Sequence, residues 1–345
     1  MIRLKTVTSV LAAAGAFLAF GDVRAASDPA LIEAAKAEGS VTWASGLVIN
    51  QAARPVANAF TKKYGINVDV MVAENLLLRM TNEARAGKAT IDVFDDGGSA
   101  MAAIRKADLV APYTSPEAAA FSADHRDPEG YWTAYCLFFY TVVVNTDLVP
   151  PEEEPQTFAD LLDPKWKGRM VWQNSENAAG PPSFVGVRLT SMGQADGMAY
   201  LEKLAGQDVV RVTGNARSAL DQVILGEYPM ALMSLNHHVV ISAEQGAPVK
   251  WLKLSPLIGT METTAVAKNA PHPNAAKLFY DFLLSEEGQN VLKDANYLPA
   301  RPGVPARVAE LKPDAGGFTA VTIQPAMAKE GLPGWVEIYK RLFVH

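Results

Sequence analysis

The sequence predicts an α/β protein of two lobes, each a mostly parallel sheet flanked by helices, with a ligand cleft between the lobes. Three observations lead to this fold class. Apolar strand-like runs alternate with amphipathic helical segments in the first third of the chain. A long apolar run, Leu137–Val144, then leads through a proline-rich loop into a second such region. The length of 345 residues suits two domains.

The first 25 residues have the features of a secretory signal peptide. Arg3 and Lys5 give a basic start, and the apolar stretch from Val7 to Phe20 is too short to span a membrane. Small residues at Val23 and Ala25 suit cleavage, so we expect an exported protein. Removal of this segment changes the net charge from −6 to −8, because three basic residues and one acidic residue are lost. This acidic balance argues against a nucleic-acid partner.

The helices of the first lobe are predicted from residues that typically start and end helices. Asp28 followed by Pro29 indicates a helix start, and Gly39, Gly65 and Gly87 indicate helix ends. The elements that follow the first helix are a strand over 41–44, a helix over 55–64, a strand over 66–72, a helix over 76–86, a strand over 91–94 and a helix over 99–107.

The run Leu137–Val144 is interpreted as a strand that crosses into the second lobe. That lobe is predicted to contain a strand over 170–172, helices over 182–192, 196–205 and 215–225, and a strand over 230–234. The chain then returns through strands over 249–254 and 263–267 and helices over 273–284 and 286–295, the first of these helices capped near Asn274. The expected domains are lobe one over 26–136 and 241–305, lobe two over 137–240, and a tail over 306–345 that packs on the lobes.

The only cysteine, Cys136, lies in the apolar run Tyr135–Phe139 and cannot form an internal disulfide. We expect a buried, unreactive thiol rather than a nucleophile. The sequence has no nucleophile-elbow pattern, no HExxH motif and no spaced Cys/His cluster. We therefore expect no enzymatic activity and no cofactor, with an exported hydrolase as the remote alternative.

The segment Val142–Pro150, followed by Phe158–Gly168, resembles the hinge-crossing segment of bacterial ABC-transporter periplasmic solute-binding proteins. The resemblance is to the type II, ferric-iron-binding-like branch, and it spans nearly the whole mature chain. Five further segments resemble that branch in the same order, namely Ala34–Trp43, Phe60–Ile66, Ala84–Val93, Gly226–Leu232 and Asn269–Gln289. The resemblance implies that two lobes close around one ligand and that the closed form, as a monomer, docks on a membrane permease.

Loops that follow strands of the first lobe are predicted to line the cleft. These loops contain Ser45 with Gly46, Glu74, and Asp96 with Gly97. Glycine lets the backbone approach a ligand closely, and the N–H groups that open the next helix can hold an anion. The alternative at Gly97 is a simple tight turn.

Two segments of the second lobe are further candidates. Ser175 and Asn177 follow a predicted strand, where the resemblance implies a site for the anionic group of the ligand. Arg217 opens a predicted helix and could bind a carboxylate or phosphonate. The alternative for Arg217 is a surface ion pair.

The sharpest candidate is Asn236-His237-His238, directly after the strand over 230–234. The ferric-binding relatives have two adjacent tyrosines at this place, whereas neutral imidazole suits divalent metals better than Fe³⁺. The two histidines could donate to an organic anion, or bind a divalent metal together with Glu74 or Asp96. A third interpretation has one histidine in the cleft and the other packed, because adjacent residues of a helix point about 100° apart.

The main interpretation is therefore a periplasmic substrate-binding protein of an ABC importer that captures a small anionic solute, such as a carboxylate, phosphonate or phosphate ester. The alternative is an importer component for a metal or metal chelate, with His237 and His238 as ligands.

Overall fold

The computed structural model describes residues 28–344, so the predicted signal peptide lies outside the described residues. The strands are β1 (Ser40–Ser45), β2 (Asn67–Val72), β3 (Val93–Gly97), β4 (Val110–Ala111), β5 (Thr133–Asn145), β6 (Met170–Gln173), β7 (Val210–Val212), β8 (Met230–Leu235), β9 (Val249–Leu252), β10 (Leu257–Ala267), β11 (Leu298–Pro299) and β12 (Ala320–Thr322).

The α-helices are α1 (Pro29–Glu38), α2 (Arg54–Tyr64), α3 (Leu76–Ala86), α4 (Gly98–Lys106), α5 (Pro181–Met192), α6 (Gln194–Ala205), α7 (Ala216–Ile224), α8 (Asn236–Glu244), α9 (Pro273–Leu284), α10 (Glu286–Asp294), α11 (Pro313–Gly316) and α12 (Pro325–Phe343). Short 3₁₀ helices lie between β5 and β6, including Phe158–Leu162.

The sheet has the main order β2-β1-β3-β10-β5-β8-β6-β7 and joins both lobes. At one end β1 pairs in parallel with β2 and β3, and at the other end β6 pairs in parallel with β7 and β8. The antiparallel strands β5 and β10 connect the two ends. The predicted two-lobed α/β fold is confirmed.

The strand β5 is nearly all buried and is longer than the apolar run that predicts it. Its first part pairs with β10 and β11, and its last part, Val142–Asn145, pairs with β9. The sequence places the strand over 249–254 in the first lobe; in the structure β9 pairs with the part of β5 that leads into the second lobe, and its side chains contribute to both cores.

The second connecting strand, β10, begins at Leu257, whereas the sequence predicts a strand only over 263–267. Gly259, Thr260 and Glu262 interrupt the apolar pattern there, and their pairing with β5 and β12 compensates for their weak strand signal. Two strands rather than one therefore pass between the lobes.

The helix α9 has the predicted bounds but not the predicted cap. The backbone N–H groups of Asn274 and Ala275 donate to the Glu38 carboxylate of α1, with N···O distances of 3.0 and 2.7 Å to Oε2. A negative charge at a helix N-terminus is favourable. The Asn274 side chain also donates to Glu38, so Glu38 rather than Asn274 caps this helix.

Apolar side chains form two cores. Trp43 and Phe279 belong to the first core, with ring centroids 5.2 Å apart, and Trp172 and Phe343 belong to the second, with centroids 4.8 Å apart. The second pair fastens α12 to the second lobe. Cys136 is fully buried in the first core, and burial raises the pKa of its thiol, so the prediction of a buried thiol is confirmed.

Candidate functional site

The predicted site residues lie where strands of the two lobes end near the connecting strands β5 and β10. Ser45 and Gly97 are the last residues of β1 and β3 in the first lobe. Ser175 follows β6, and His237 follows β8, in the second lobe. Ligands of open α/β sheets bind at the carboxyl ends of strands, so this convergence defines the candidate cleft.

A buried aspartate organises the first-lobe side of the cleft. Asp95 accepts hydrogen bonds from Trp43 Nε1 (2.5 Å), Ser45 Oγ (3.1 Å), Gly46 N (3.0 Å) and Tyr135 OH (2.6 Å). Burial raises the pKa of this carboxyl to about 7, although the hydrogen bonds oppose the shift. The predicted ligand groups of Ser45 and Gly46 are therefore occupied by Asp95 in this structure.

The turn after β3 contains the other first-lobe candidates. Asp96 accepts a hydrogen bond from the backbone N–H of Gly97 at 2.8 Å, and burial raises the pKa of the Asp96 carboxyl. The space beside Gly97 is open, and α4 begins at the next residue. Gly97 thus leaves room at a helix start, as the anion hypothesis requires.

One further first-lobe carboxylate was not singled out from the sequence. Glu262 of β10 lies against Gly46, so that a Cβ atom added to Gly46 would lie 2.6 Å from Glu262 Oε1. Glu74, by contrast, is exposed in the loop before α3. Among residues 28–344 no three His, Cys, Asp or Glu side chains are grouped to hold a metal ion, so the predicted set of Glu74, His237 and His238 is not assembled.

A cavity of about 250 Å³ forms the second-lobe side of the cleft. Four of the predicted residues line it, namely Ser175, Asn177, Arg217 and His238. Three polar residues that were not predicted also line it, namely Tyr140, Gln173 and Asn215. Asn215 was recognisable from its place at the start of a predicted helix. Tyr140 lies within an apolar run and Gln173 at the end of a strand, and no sequence pattern indicates a binding role for either residue.

The rim of this cavity is rich in amide groups. Asn215 Oδ1 accepts the backbone N–H groups of Arg217 (2.9 Å) and Ser218 (3.2 Å), so it caps α7. Asn177 Oδ1 accepts the N–H of Ala179 at 3.0 Å. Both asparagines use their side-chain oxygens in this way, and their side-chain nitrogens make no hydrogen bond with the described residues, so they are free to donate to a ligand.

Arg217 forms an ion pair and also lines the cavity. Its Nε donates to Asp221 Oδ1 at 2.8 Å, and its Nη1 donates to Ser242 Oγ at 3.0 Å. The same side chain lines the cavity. The ion pair therefore holds the guanidinium in place, and the cavity contains a fixed positive charge.

The two histidines lie in the first turn of α8 and have different surroundings. His237 is 0% exposed, its ring stacks on Phe138 with centroids 5.6 Å apart, and neither of its ring nitrogens has a hydrogen-bond partner. His238 is only partly buried and lines the cavity. The interpretation with one packed histidine and one in the cleft describes this structure.

Both imidazoles are neutral near pH 7. Burial lowers the pKa of His237 well below its ordinary value, and His238 lowers it further. Burial, together with the charge of Arg217, lowers the pKa of His238 to about 4, and Asp221 partly offsets this. A neutral imidazole still has one N–H donor, so donation from His238 to an organic anion stays a prediction.

Asn236 does not face the cavity. Its side-chain nitrogen donates to the carbonyl oxygen of Leu311 at 2.9 Å, and the residue is fully buried. Asn236 thus links α8 to the segment before α11, and its predicted role in ligand binding is not supported by its position.

Comparison with known proteins identifies the family. The model of the bacterial extracellular solute-binding proteins matches residues 88–316. The chain belongs to this family. Within it, the chain is of the type II, ferric-iron-binding-like kind, and the homologues that it matches are solute-binding proteins. No helix in the described part of the chain is long and apolar enough to cross a membrane.

Three relatives illustrate the similarity. The chain is 26% identical to iron uptake protein A1 of Synechocystis sp. over 229 residues, which cover 61% of this chain and 63% of that protein. It is 25% identical to the Fe(3+)-binding periplasmic protein of Serratia marcescens over 318 residues, or 88% of each chain. The crystal structure of iron-bound HitA from Pseudomonas aeruginosa has a TM-score of 0.72 and 25% identity, and covers 87% of this chain and 99% of that chain.

Proposed function

We propose that this protein is the periplasmic ligand-binding component of an ABC importer, and that it binds iron as a complex with a small organic anion. One relative is named as an Fe(3+)-binding protein and another is described in an iron-bound structure, which supports iron as the metal. The observation that carries the proposal is the second-lobe cavity, where the Arg217 guanidinium and the neutral His238 imidazole lie together.

The chemistry of the cavity suits both parts of such a complex. The guanidinium of Arg217 and the free amide nitrogens of Asn177 and Asn215 are donors for a carboxylate. The imidazole of His238 is unprotonated near pH 7, so that its lone pair is available to a metal ion. Ferric iron prefers hard, anionic oxygen ligands, and we infer that the organic anion supplies them here in place of the two tyrosines of the ferric relatives.

A second candidate is a metal-free anionic solute, such as a carboxylate, phosphonate or phosphate ester. The observation that favours it is that residues 28–344 contain no group of three His, Cys, Asp or Glu side chains placed for a metal. Arg217 and the amide donors would then bind the anion directly.

Binding measurements separate the two candidates. Calorimetry would compare ferric citrate, citrate alone and glucose 6-phosphate, and native mass spectrometry with and without a chelator would report any metal that co-purifies. Binding of ferric citrate at least about tenfold tighter than citrate, a difference of about 1.4 kcal/mol, supports the iron complex. Equal or tighter binding of a metal-free anion supports the second candidate, and chemical turnover of any probe contradicts both.

The two lobes would close on the ligand before it is delivered to the membrane. The strands β5 and β10 connect the lobes, and bending within them would let the lobes close on the ligand. We expect a monomer whose radius of gyration decreases when the bound probe is added, as measured by small-angle scattering. The closed form would then deliver its ligand to a membrane permease.

A further inference from the structure

The base of the cleft carries two polar side chains that the proposed function does not use. Glu262 lies on β10 and Tyr140 lies on β5, the strands that pass between the lobes. Both are therefore placed where a ligand would contact the two lobes at once.

The position of Glu262 is specified by its neighbours. Its carboxylate lies against the backbone of Gly46. A Cβ atom added to Gly46 would be 2.6 Å from Glu262 Oε1, so only glycine fits there while the carboxylate keeps this position. The pairing of β10 with β5 shifts register between Glu262 and Thr263, and such irregularities re-aim a side chain. On its other side Glu262 pairs with Gly97 of the β3 turn.

Glu262 also differs from its neighbour Asp95 in its hydrogen bonding. Asp95 accepts four hydrogen bonds, whereas Glu262 has no hydrogen bond or ion pair with any described residue. Burial raises the pKa of Glu262 well above its ordinary value, and the charges of Asp95 and Asp96 add to the shift. A carboxylate without partners in such surroundings gains strongly from any group that supplies a proton or positive charge.

Tyr140 is a second, independent sign of a ligand. The residue is only 7% exposed, yet its hydroxyl makes no hydrogen bond with any described residue, and the side chain lines the second-lobe cavity. Burial, and then the charge of Glu262, raise the pKa of this phenol, so the two side chains lie within electrostatic reach of each other. Because this side chain lines the cavity, a bound solute would be the hydrogen-bond partner of its hydroxyl.

We propose that Glu262 is the ligand-binding carboxylate of the first lobe, and that with Tyr140 it holds the positively polarised part of the solute while the anionic part lies against Arg217. This role rests on the proposed function. The positively polarised part is the metal ion of an iron complex, or the hydroxyl hydrogens of a metal-free anion. A solute polarised in this way contacts both lobes and so favours the closed state.

The test measures affinity by calorimetry for ferric citrate, citrate and glucose 6-phosphate in the wild-type protein, Glu262→Gln, Tyr140→Phe and a control, Glu152→Gln. Glu152 is exposed and lies outside the cleft. We expect Glu262→Gln to lose about tenfold or more in affinity, because glutamine cannot release a proton to become an anionic acceptor when the solute binds, and Tyr140→Phe to lose about fivefold. The control should bind as the wild type does. All variants should keep the wild-type melting temperature or exceed it.

The probes distinguish the two kinds of solute. If Glu262→Gln loses affinity for ferric citrate only, the carboxylate binds the metal. If it loses affinity for glucose 6-phosphate, the carboxylate accepts hydrogen bonds from the hydroxyl groups of the solute. Unchanged affinity in Glu262→Gln, with a wild-type protein that binds, would overturn the role of Glu262 alone. A wild-type protein that binds none of the three probes would overturn the proposed function and this role with it.

Discussion

The hydroxyl of Tyr135 donates a hydrogen bond to the buried carboxyl of Asp95, with an O···O distance of 2.6 Å. This contact joins the connecting strand β5 to β3, two residues before β3 ends at Gly97. It therefore ties the path between the lobes to the cleft.

Tyr135→Phe should lower the free energy of unfolding by about 1–3 kcal/mol, because a buried acceptor loses one of its donors. Chemical denaturation of the two proteins measures this difference. Tyr228→Phe is the control, since the Tyr228 hydroxyl makes no hydrogen bond within the described residues, and it should change stability by less than about 0.5 kcal/mol. Equal effects of the two substitutions would mean that the hydrogen bond contributes nothing.

His237→Phe should keep ligand affinity and should keep or raise stability, by up to about 1 kcal/mol. The imidazole is fully buried with both nitrogens unpartnered, and a phenyl ring of similar shape removes that cost while it preserves the stack on Phe138. Calorimetry and denaturation provide the two readouts. Loss of binding in a folded His237→Phe protein would show that this histidine is a ligand residue after all.

The pH dependence of stability should reveal His238. Its pKa in the folded protein, about 4, is below the ordinary value of 6.5, so its stabilising contribution is full above pH 6.5 and is lost as the pH falls towards 4. A single such group changes the free energy of unfolding by at most about 1.4 kcal/mol per pH unit. Denaturation at several pH values between 7.5 and 4.5 gives the free energy of unfolding as a function of pH. As the pH falls, this free energy should decrease less steeply for His238→Gln than for the wild type. The same pH dependence in both proteins would contradict the assigned pKa.

Arg217→Ala should weaken binding of citrate and of ferric citrate by about tenfold or more, because the cavity loses its fixed positive charge. Arg85→Ala provides the matched control, since Arg85 is exposed at the end of α3, far along the chain from the second-lobe cavity. Calorimetry measures the affinity of each protein at two salt concentrations, because salt weakens binding that depends on a positive charge. If both variants bind alike, the anion is bound elsewhere.

Gly186→Ala should destabilise the protein by about 1–3 kcal/mol, since the added Cβ atom would lie 2.4 Å from Cε2 of Trp335 in α12. Gly334→Ala, in α12 itself, meets no atom within 4 Å and should be neutral or stabilising by up to about 1 kcal/mol. Thermal denaturation of both variants tests how firmly α12 is fastened to the second lobe. The same destabilisation in both would contradict this packing.

Local patterns were sufficient for most elements of the fold. Apolar spacing and glycine stops predict α3 at Leu76–Ala86, and proline at the start predicts α9 at Pro273–Leu284, both with the observed bounds. The crossing strand β5 was visible because it is buried along almost its whole length and so remains apolar. These signals depend on neighbours in the sequence, which is why the sequence alone contains them.

Only the tertiary structure decided which side chains are free to bind. Ser45 looked available but donates to Asp95, and His237 looked like a ligand but is packed on Phe138. Glu262, with no motif around it, lies against Gly46, more than half the chain away. Whether a polar group is already paired depends on residues that folding brings together from distant parts of the chain, and no local pattern records that pairing.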